Sequence, residues 1–357
     1  MQITDAREFF TRAVCGAVPT VPLALYRAFA FPAALAYGAA VRLRRGLYKT
    51  NLIRPRSLGA PTISVGNVTA GGTGKTPMVA WIVQWLAEQG LRPAILSRGY
   101  GAAPPGEEDG GNDEAAVLRE ALPGVPHYAD PDRVQAAGTA KAEGADCLVL
   151  DDGFQHLRVR RDVNIVLLDA LDPFGGGRLL PAGLLREPLA CLKDADAIIL
   201  TRTDLAAPEF LGRLREKAAR LAPRAVPCDT RHRPVRLVSP SGDPPEPPES
   251  LGGRRAALFC GIGNPWGFVK TVRSLGAEVA AACFLPDHFV YDDTGLAFAA
   301  ARMADAGAEI ILTTKKDAVK IGRRWNGPAP LRLLEVEIEF LCGREQLEGL
   351  LKDVIVG

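Results

Sequence analysis

The stretch Gly66-Asn-Val-Thr-Ala-Gly-Gly-Thr-Gly-Lys-Thr76 has the clearest chemical reading in the chain. Glycines at 71, 72 and 74 let backbone N–H groups close on a phosphate where side chains would stand in the way. Lys75 is then placed to reach β and γ oxygens and Thr76 to ligate Mg2+, so Gly71, Gly72, Thr73, Gly74, Lys75 and Thr76 read as a nucleotide cradle. The usual pattern GxxxxGK[ST] has a glycine five positions before Gly74; this chain has Thr69 there, so the loop is a variant. Such a cradle needs a carboxylate from a neighbouring strand to hold the metal, and Cys147-Leu-Val-Leu-Asp151-Asp152 is an apolar run that ends in two. Side chains alternate along a strand, so one carboxylate faces the nucleotide and the other braces it or the loop. Asp152 is the preferred metal ligand and Asp151 the alternative. The implied cofactors are ATP and Mg2+, and the implied chemistry is phosphoryl transfer.

Positioning these groups requires strands and helices in alternation. Pro61 to Val65 reads as a buried strand and Pro77 to Glu88 as an apolar helix. Asn164 to Asp169 and Ala197 to Leu200 read as further strands, the second running into Thr201-Arg-Thr-Asp204. The pattern predicts an α/β fold: a P-loop NTPase-type parallel sheet core covered on both faces. A proline-rich polar stretch, Ser239 to Ser250, reads as an extended connector. Beyond it, Arg255 to Cys260, Glu278 to Phe284 and Glu309 to Thr313 read as strands, with helices near Trp266 to Ser274 and Gly295 to Ala306, which predicts a second, smaller α/β lobe. The expected division is an N-terminal apolar helical anchor over 1–50, the core over 51–235, the linker over 236–252 and the second lobe over 253–357. Gly261-Ile-Gly-Asn-Pro-Trp-Gly267 is not a dinucleotide fingerprint, because its third glycine comes one position late for GxGxxG.

At 357 residues the chain is long enough for two domains. Its 43 Lys and Arg against 41 Asp and Glu leave a net charge of +2, which gives no argument for a nucleic-acid partner. Seven cysteines, none in a CxxC pair, fit a reducing compartment. Residues 9–41 are mostly apolar and are followed by Arg42, Arg44, Arg45 and Lys49. The charge-free runs 13–26 and 28–41 would each be about 21 Å long as helix, against a hydrocarbon core of about 30 Å. Joining them would put Arg27 near the bilayer centre at about 2.5 to 3.5 kcal/mol and carry a helix through three prolines. A helix pair lying in the interface is the cheaper arrangement, its basic end and Tyr26, Tyr37 and Tyr48 meeting anionic headgroups. A helical hairpin buried in the core is the alternative.

Taken in order, Gly66-Asn67 with Gly71 to Pro77, Ser97-Arg-Gly-Tyr-Gly101, Asp151-Asp-Gly-Phe-Gln155, Leu180-Pro-Ala-Gly183 with Arg186-Glu187, Gly261-Ile-Gly-Asn-Pro265, Asp287-His288 and Lys316-Asp317 resemble the tetraacyldisaccharide 4'-kinase family. The resemblance implies phosphorylation, by ATP, of the 4' hydroxyl of an acylated glucosamine disaccharide 1-phosphate. It further implies a peripheral enzyme, a monomer, on the cytoplasmic face of a bacterial inner membrane. The family's acidic Gly-Asp-Glu-Pro stretch corresponds to Gly111-Asn112-Asp113-Glu114-Ala115, with an inserted Asn and Ala for Pro. By this resemblance Asp113 is the candidate base, with His288 its partner from the second lobe, and Glu187 joins Thr76, Asp151 and Asp152 as a candidate metal ligand. Arg186 follows a glycine-rich turn, Phe174 to Arg178, that would bend over the phosphates as a cap and bring a positive charge to the γ-phosphate. Arg98 and Tyr100 are candidates for contact with nucleotide or sugar phosphate. Two readings from other classes compete: a membrane-recruited P-loop ATPase switch, and a soluble kinase for a small sugar.

Overall fold

The computed structural model describes residues 21–99, 113–286 and 289–356. Strands β1 (Thr62–Asn67), β2 (Pro93–Ser97), β4 (Cys147–Asp151) and β6 (Ala197–Thr201) are buried at every residue, which is why they read as unbroken apolar runs. With β3 (His127–Ala129), β5 (Val163–Asp169) and the first residues of β7 (Val226–Val238) they form a parallel array. The second lobe contributes β8 (Arg255–Cys260), β9 (Glu278–Phe284), β10 (Ile310–Thr313) and β11 (Leu331–Cys342). All eleven belong to one sheet, in the order β3-β2-β4-β1-β5-β6-β7-β11-β10-β8-β9. Every pairing is parallel except β7 with β11, the antiparallel ladder that joins the lobes.

The helices α1 (Val21–Lys49), α2 (Lys75–Glu88), α3 (Asp113–Ala121), α4 (Arg133–Ala142), α5 (Pro208–Leu221), α6 (Pro265–Ser274), α7 (Asp293–Ala304), α8 (Lys315–Ile321) and α9 (Arg344–Val356) complete the layers. Met78, Ile82 and Leu86 of α2 recur at helical spacing and pack on Ile63, Val65, Val149 and Ile165 of the central strands. That packing fixes the start of α2, and hence the P-loop, at the C-terminal edge of the sheet. The register pairs Val65 of β1 with Asp151 of β4, so the acidic pair ends its strand beside the loop.

Two expectations about organisation change. The chain does not simply divide at 236–252. β7 pairs with β6 through Asp229 and then with β11 as far as Val238, so this one strand is built into both lobes. After β11, α9 returns to the first lobe, where Leu347 and Leu351, one helical turn apart, join the core beneath α2. The C-terminal helix therefore does not belong to the second lobe, as the division at 253–357 implied.

The other change concerns the N-terminus, where residues 1–20 lie outside the described residues. From Val21 the chain is one helix of 29 residues that runs through Pro32, not two. It buries a narrow stripe of small residues, Ala30, Ala34 and Gly38, and leaves Phe29, Phe31, Leu35 and Leu43 exposed. A Cβ on Gly38 would fall 2.7 Å from Leu179 Cδ1, so the helix lies close on the first lobe. No described helix is long and apolar enough to cross a membrane.

Burial also sets a pH limit. It lowers the pKa of His127 from 6.5 to about 4, helped by nearby Arg119, and that of His156 to about 4, helped by Arg133 and Arg161. Between those values the unfolded chain binds a proton at each site that the folded chain does not, so stability falls as the pH drops from 6.5 towards 4. Thermal melts across that window should show the loss, and His127→Gln should make the slope shallower.

Candidate active site

β1 ends at Asn67, and the chain does not turn at once. Thr69 stays extended and bridges antiparallel to Leu185. The Ala70 N–H donates to the Leu184 carbonyl at 2.7 Å, and the Arg186 N–H donates to that of Val68 at 2.8 Å. An extended, buried Thr69 satisfied by a neighbouring segment explains why the usual glycine is dispensable there. The turn begins at Gly71, with φ 137°, and closes at Gly74, with φ 88°, immediately before α2. A Cβ on Gly74 would fall 2.5 Å from Nε2 of His232, a β7 residue that packs beneath the loop. Asn67, fully buried, holds the loop from inside: its amide donates to the Thr69 carbonyl at 2.8 Å, and its Oδ1 accepts from Lys75 Nζ at 3.4 Å.

The same Thr69–Leu185 pairing delivers Arg186 to the acidic pair. Arg186 forks the Asp152 carboxylate with bonds of 2.8 and 2.9 Å, and Lys75 Nζ lies 3.5 Å from it. Burial alone would raise the pKa of Asp152, but Lys75 and Arg186 outweigh it and hold the group well below the usual carboxylate range. Burial would likewise lower that of Lys75, and the charges of Asp152, Glu114 and Asp151 reverse the effect and raise it. Asp151 goes the other way: burial and the carboxylate of Glu114 push it up to about 7. The left-handed turn at Asp152, φ 54°, brings both carboxylates towards Lys75, where simple alternation would have parted them.

Oδ1 of Asp151 is buried without a hydrogen-bond partner. A buried carboxylate oxygen without a donor suits a divalent cation, and Thr76 supplies a hydroxyl on the first turn of α2. Among the described residues no three His, Cys, Asp or Glu side chains form a metal site by themselves.

Glu187 pairs elsewhere. Adjacent side chains of an extended segment point to opposite sides, and Glu187, 1% exposed, pairs with Arg45 of α1, which also bonds Asp194 at 2.7 Å. One of its oxygens thus anchors α1, while the other, Oε1, is buried without a hydrogen-bond partner, as Oδ1 of Asp151 is. The glycine-rich turn is no loose cap. It folds back on residues 183–185, the Leu184 N–H donating to the Gly175 carbonyl at 2.9 Å, and so braces the segment that carries Arg186. Asp113 opens α3, and its side chain lies outside the described residues, as do Tyr100 and His288. The next residue, Glu114, lines the same cavity as the P-loop.

That cavity, about 780 Å3, extends from Gly71 to Thr76 along the outer face of α2 to Trp81, with Phe268 and Ile338 on its far side. Sequence reasoning missed the polar residues around its mouth. Arg202 donates to the Gly72 carbonyl at 3.2 Å and to Asp169, and Asn264 donates to the same Asp169 oxygen at 2.6 Å. A signal was present in Asp169, which ends its strand on the sheet edge where Asp151 ends β4, and in the Thr201 to Asp204 stretch after β6.

The family described as Tetraacyldisaccharide-1-P 4'-kinase matches residues 26–356. A tetraacyldisaccharide 4'-kinase from Anaeromyxobacter sp. (strain K) is 42% identical over 354 residues, 94% of this chain and 91% of the relative. One from Pelobacter propionicus is 40% identical over 308 residues, 81% of this chain and 82% of its own. Among solved structures, LpxK from Aquifex aeolicus in complex with ATP is 28% identical with a TM-score of 0.68, covering 92% of this chain and 99% of its own.

The anchor of α1 and the phosphate cradle should separate in experiment. Glu187→Ala leaves the buried Arg45 with Asp194 as its remaining carboxylate and should cost about 1 to 3 kcal/mol of stability, read as a lower melting temperature, with nucleotide affinity kept. Lys75→Ala should lose nucleotide affinity by a factor on the order of 10 to 100, read from Trp81 fluorescence, with the melting temperature little changed.

Proposed function

The chain belongs to the tetraacyldisaccharide-1-phosphate 4'-kinase family, and from that premise we propose how its residues carry out the reaction. It is an ATP-dependent kinase of lipid A biosynthesis, acting on the 4' hydroxyl of a lipid A disaccharide precursor. Neither a nucleotide switch without an acceptor nor a soluble sugar kinase accounts for a family match across nearly the whole chain.

The backbone of Gly71 to Gly74 and the N-terminus of α2 bind the triphosphate, and Lys75 reaches its outer phosphates. Thr76 with Asp151 or Asp152 would hold Mg2+, which supplies positive charge to the β- and γ-oxygens. Arg186, already beside Asp152, neutralises charge that develops on the transferring group. The bond between the γ-phosphorus and the β–γ bridging oxygen breaks, a bond from that phosphorus to the sugar 4' oxygen forms, and the hydroxyl proton passes to a carboxylate. Asp113 is our candidate for that base, with His288 its partner. In support, Asp113 opens α3, whose next residue, Glu114, acts electrostatically on Lys75 and Asp151.

One observation carries the lipid reading. The Tyr37 hydroxyl of α1 donates to the carbonyl of Arg186 at 2.8 Å, and the guanidinium of the same residue forks Asp152. A helix that exposes Phe29 at 78%, Leu35 at 60% and Leu43 at 66% is thus fastened to the residue that forks Asp152. With Arg42 exposed on the same helix, that face fits an anionic bilayer surface, which brings the enzyme to a substrate that lies in the membrane.

Transfer of labelled γ-phosphate from magnesium ATP to a tetraacyl disaccharide 1-phosphate in detergent micelles tests the reaction. A labelled bisphosphorylated lipid is expected, and release of free phosphate alone would refute the reading. Replacing Phe29, Leu35 and Leu43 together by serine should weaken binding to anionic vesicles at least about tenfold while leaving turnover in detergent near wild type.

A further inference from the structure

The lobes meet over the P-loop through a polar cluster that none of these roles uses. Asp169, 3% exposed, receives Arg202 from the first lobe and Asn264 from the second on the same oxygen. Arg202 also holds the Gly72 carbonyl, so the cluster is bonded directly to the phosphate loop. The turn that carries Asn264 is seated just as closely by its backbone. A Cβ on Gly263 would fall 2.1 Å from the Gly72 nitrogen, so only glycine fits at that contact.

The turn is equally fixed to its own lobe. The Gly261 N–H donates at 3.0 Å to Asp317, a fully buried carboxylate that also accepts from the Tyr291 hydroxyl at 2.9 Å and from Thr314 at 2.7 Å. Asn264 is also the cap of α6, its Oδ1 accepting from the Gly267 N–H at 3.0 Å. A rigid connection therefore runs from the centre of the second lobe, through Asn264, Asp169 and Arg202, to the backbone of Gly72. Phosphoryl transfer depends on such placement, since a misplacement of about 1 Å can cost on the order of 10²-fold in rate.

We propose that Asn264, acting through Asp169 and Arg202, is a positioning residue for phosphoryl transfer that couples the seating of the second lobe to the geometry of the phosphate loop. The proposal rests on the kinase reading above. Asn264→Asp separates this role from helix capping, because aspartate caps as well as asparagine but sets a second carboxylate against Asp169. In the labelled-phosphate assay kcat should fall at least about tenfold, with ATP affinity within about threefold of wild type and the melting temperature of the second lobe retained. The reciprocal exchange D169N/N264D restores a hydrogen bond with donor and acceptor swapped and keeps a carboxylate for Arg202, so it should recover most of the lost kcat. Asn264→Ser, which caps but is too short to reach Asp169, gives a second reading should N264D fold poorly, and it too should lose kcat. Turnover of N264D or N264S within about twofold of wild type, or a double variant no better than N264D, would overturn the proposal. Failure of the wild-type protein to label the lipid would instead undo the kinase reading, so the two failures are told apart.

Discussion

The carboxylate of Asp152 lies where three parts of the molecule meet. Lys75 reaches it from the P-loop, and Arg186 forks it from the segment that pairs with the P-loop's first residues. Through the backbone of Arg186 and the side chain of Glu187, α1 is fastened to the same point. A half-buried carboxylate is costly without partners, and Lys75 and Arg186 come from separate elements, so satisfying this one charge sets the P-loop against the segment to which α1 is tied. The phosphate site and the exposed apolar helix are therefore linked through residues 186 and 187.

A second constraint comes from β7 and β11. Because β7 pairs with both lobes, the second lobe is held by continuous sheet hydrogen bonds rather than by a connector. The proline-rich stretch is left as a surface excursion between β7 and β8. Its composition reports solvent exposure and local extension, and neither property says where a domain ends. The return of α9 to the first core follows from the same arrangement, since β11 runs along the joint and delivers the chain back to α2.

The distinction between Arg186 and Glu187 shows where a motif stops being informative. The two are adjacent and were read together as a functional pair, yet in an extended segment they face opposite ways. Arg186 meets Asp152, and Glu187 meets Arg45 of a helix 142 positions earlier in the chain. Alternation alone could have warned that the two would take different partners. Nothing in the local sequence could have said which, because that depends on which side of the segment α1 lies.

What the sequence determined by itself is whatever is encoded over a few consecutive residues: the glycine spacing of the cradle, the acidic pair at a strand end, the strand and helix alternation of an α/β protein. Backbone conformation and burial period are local properties, so they are legible locally. The tertiary structure alone decided how the side chains around the cradle pair with one another. Asp152 and Arg186 are 34 positions apart, Asp169 and Asn264 are 95, and Gly72 and Arg202 are 130. Their meeting is set by strand order and by the register that aligns the strand ends on one edge, and those depend on non-local pairing that no short stretch of residues carries.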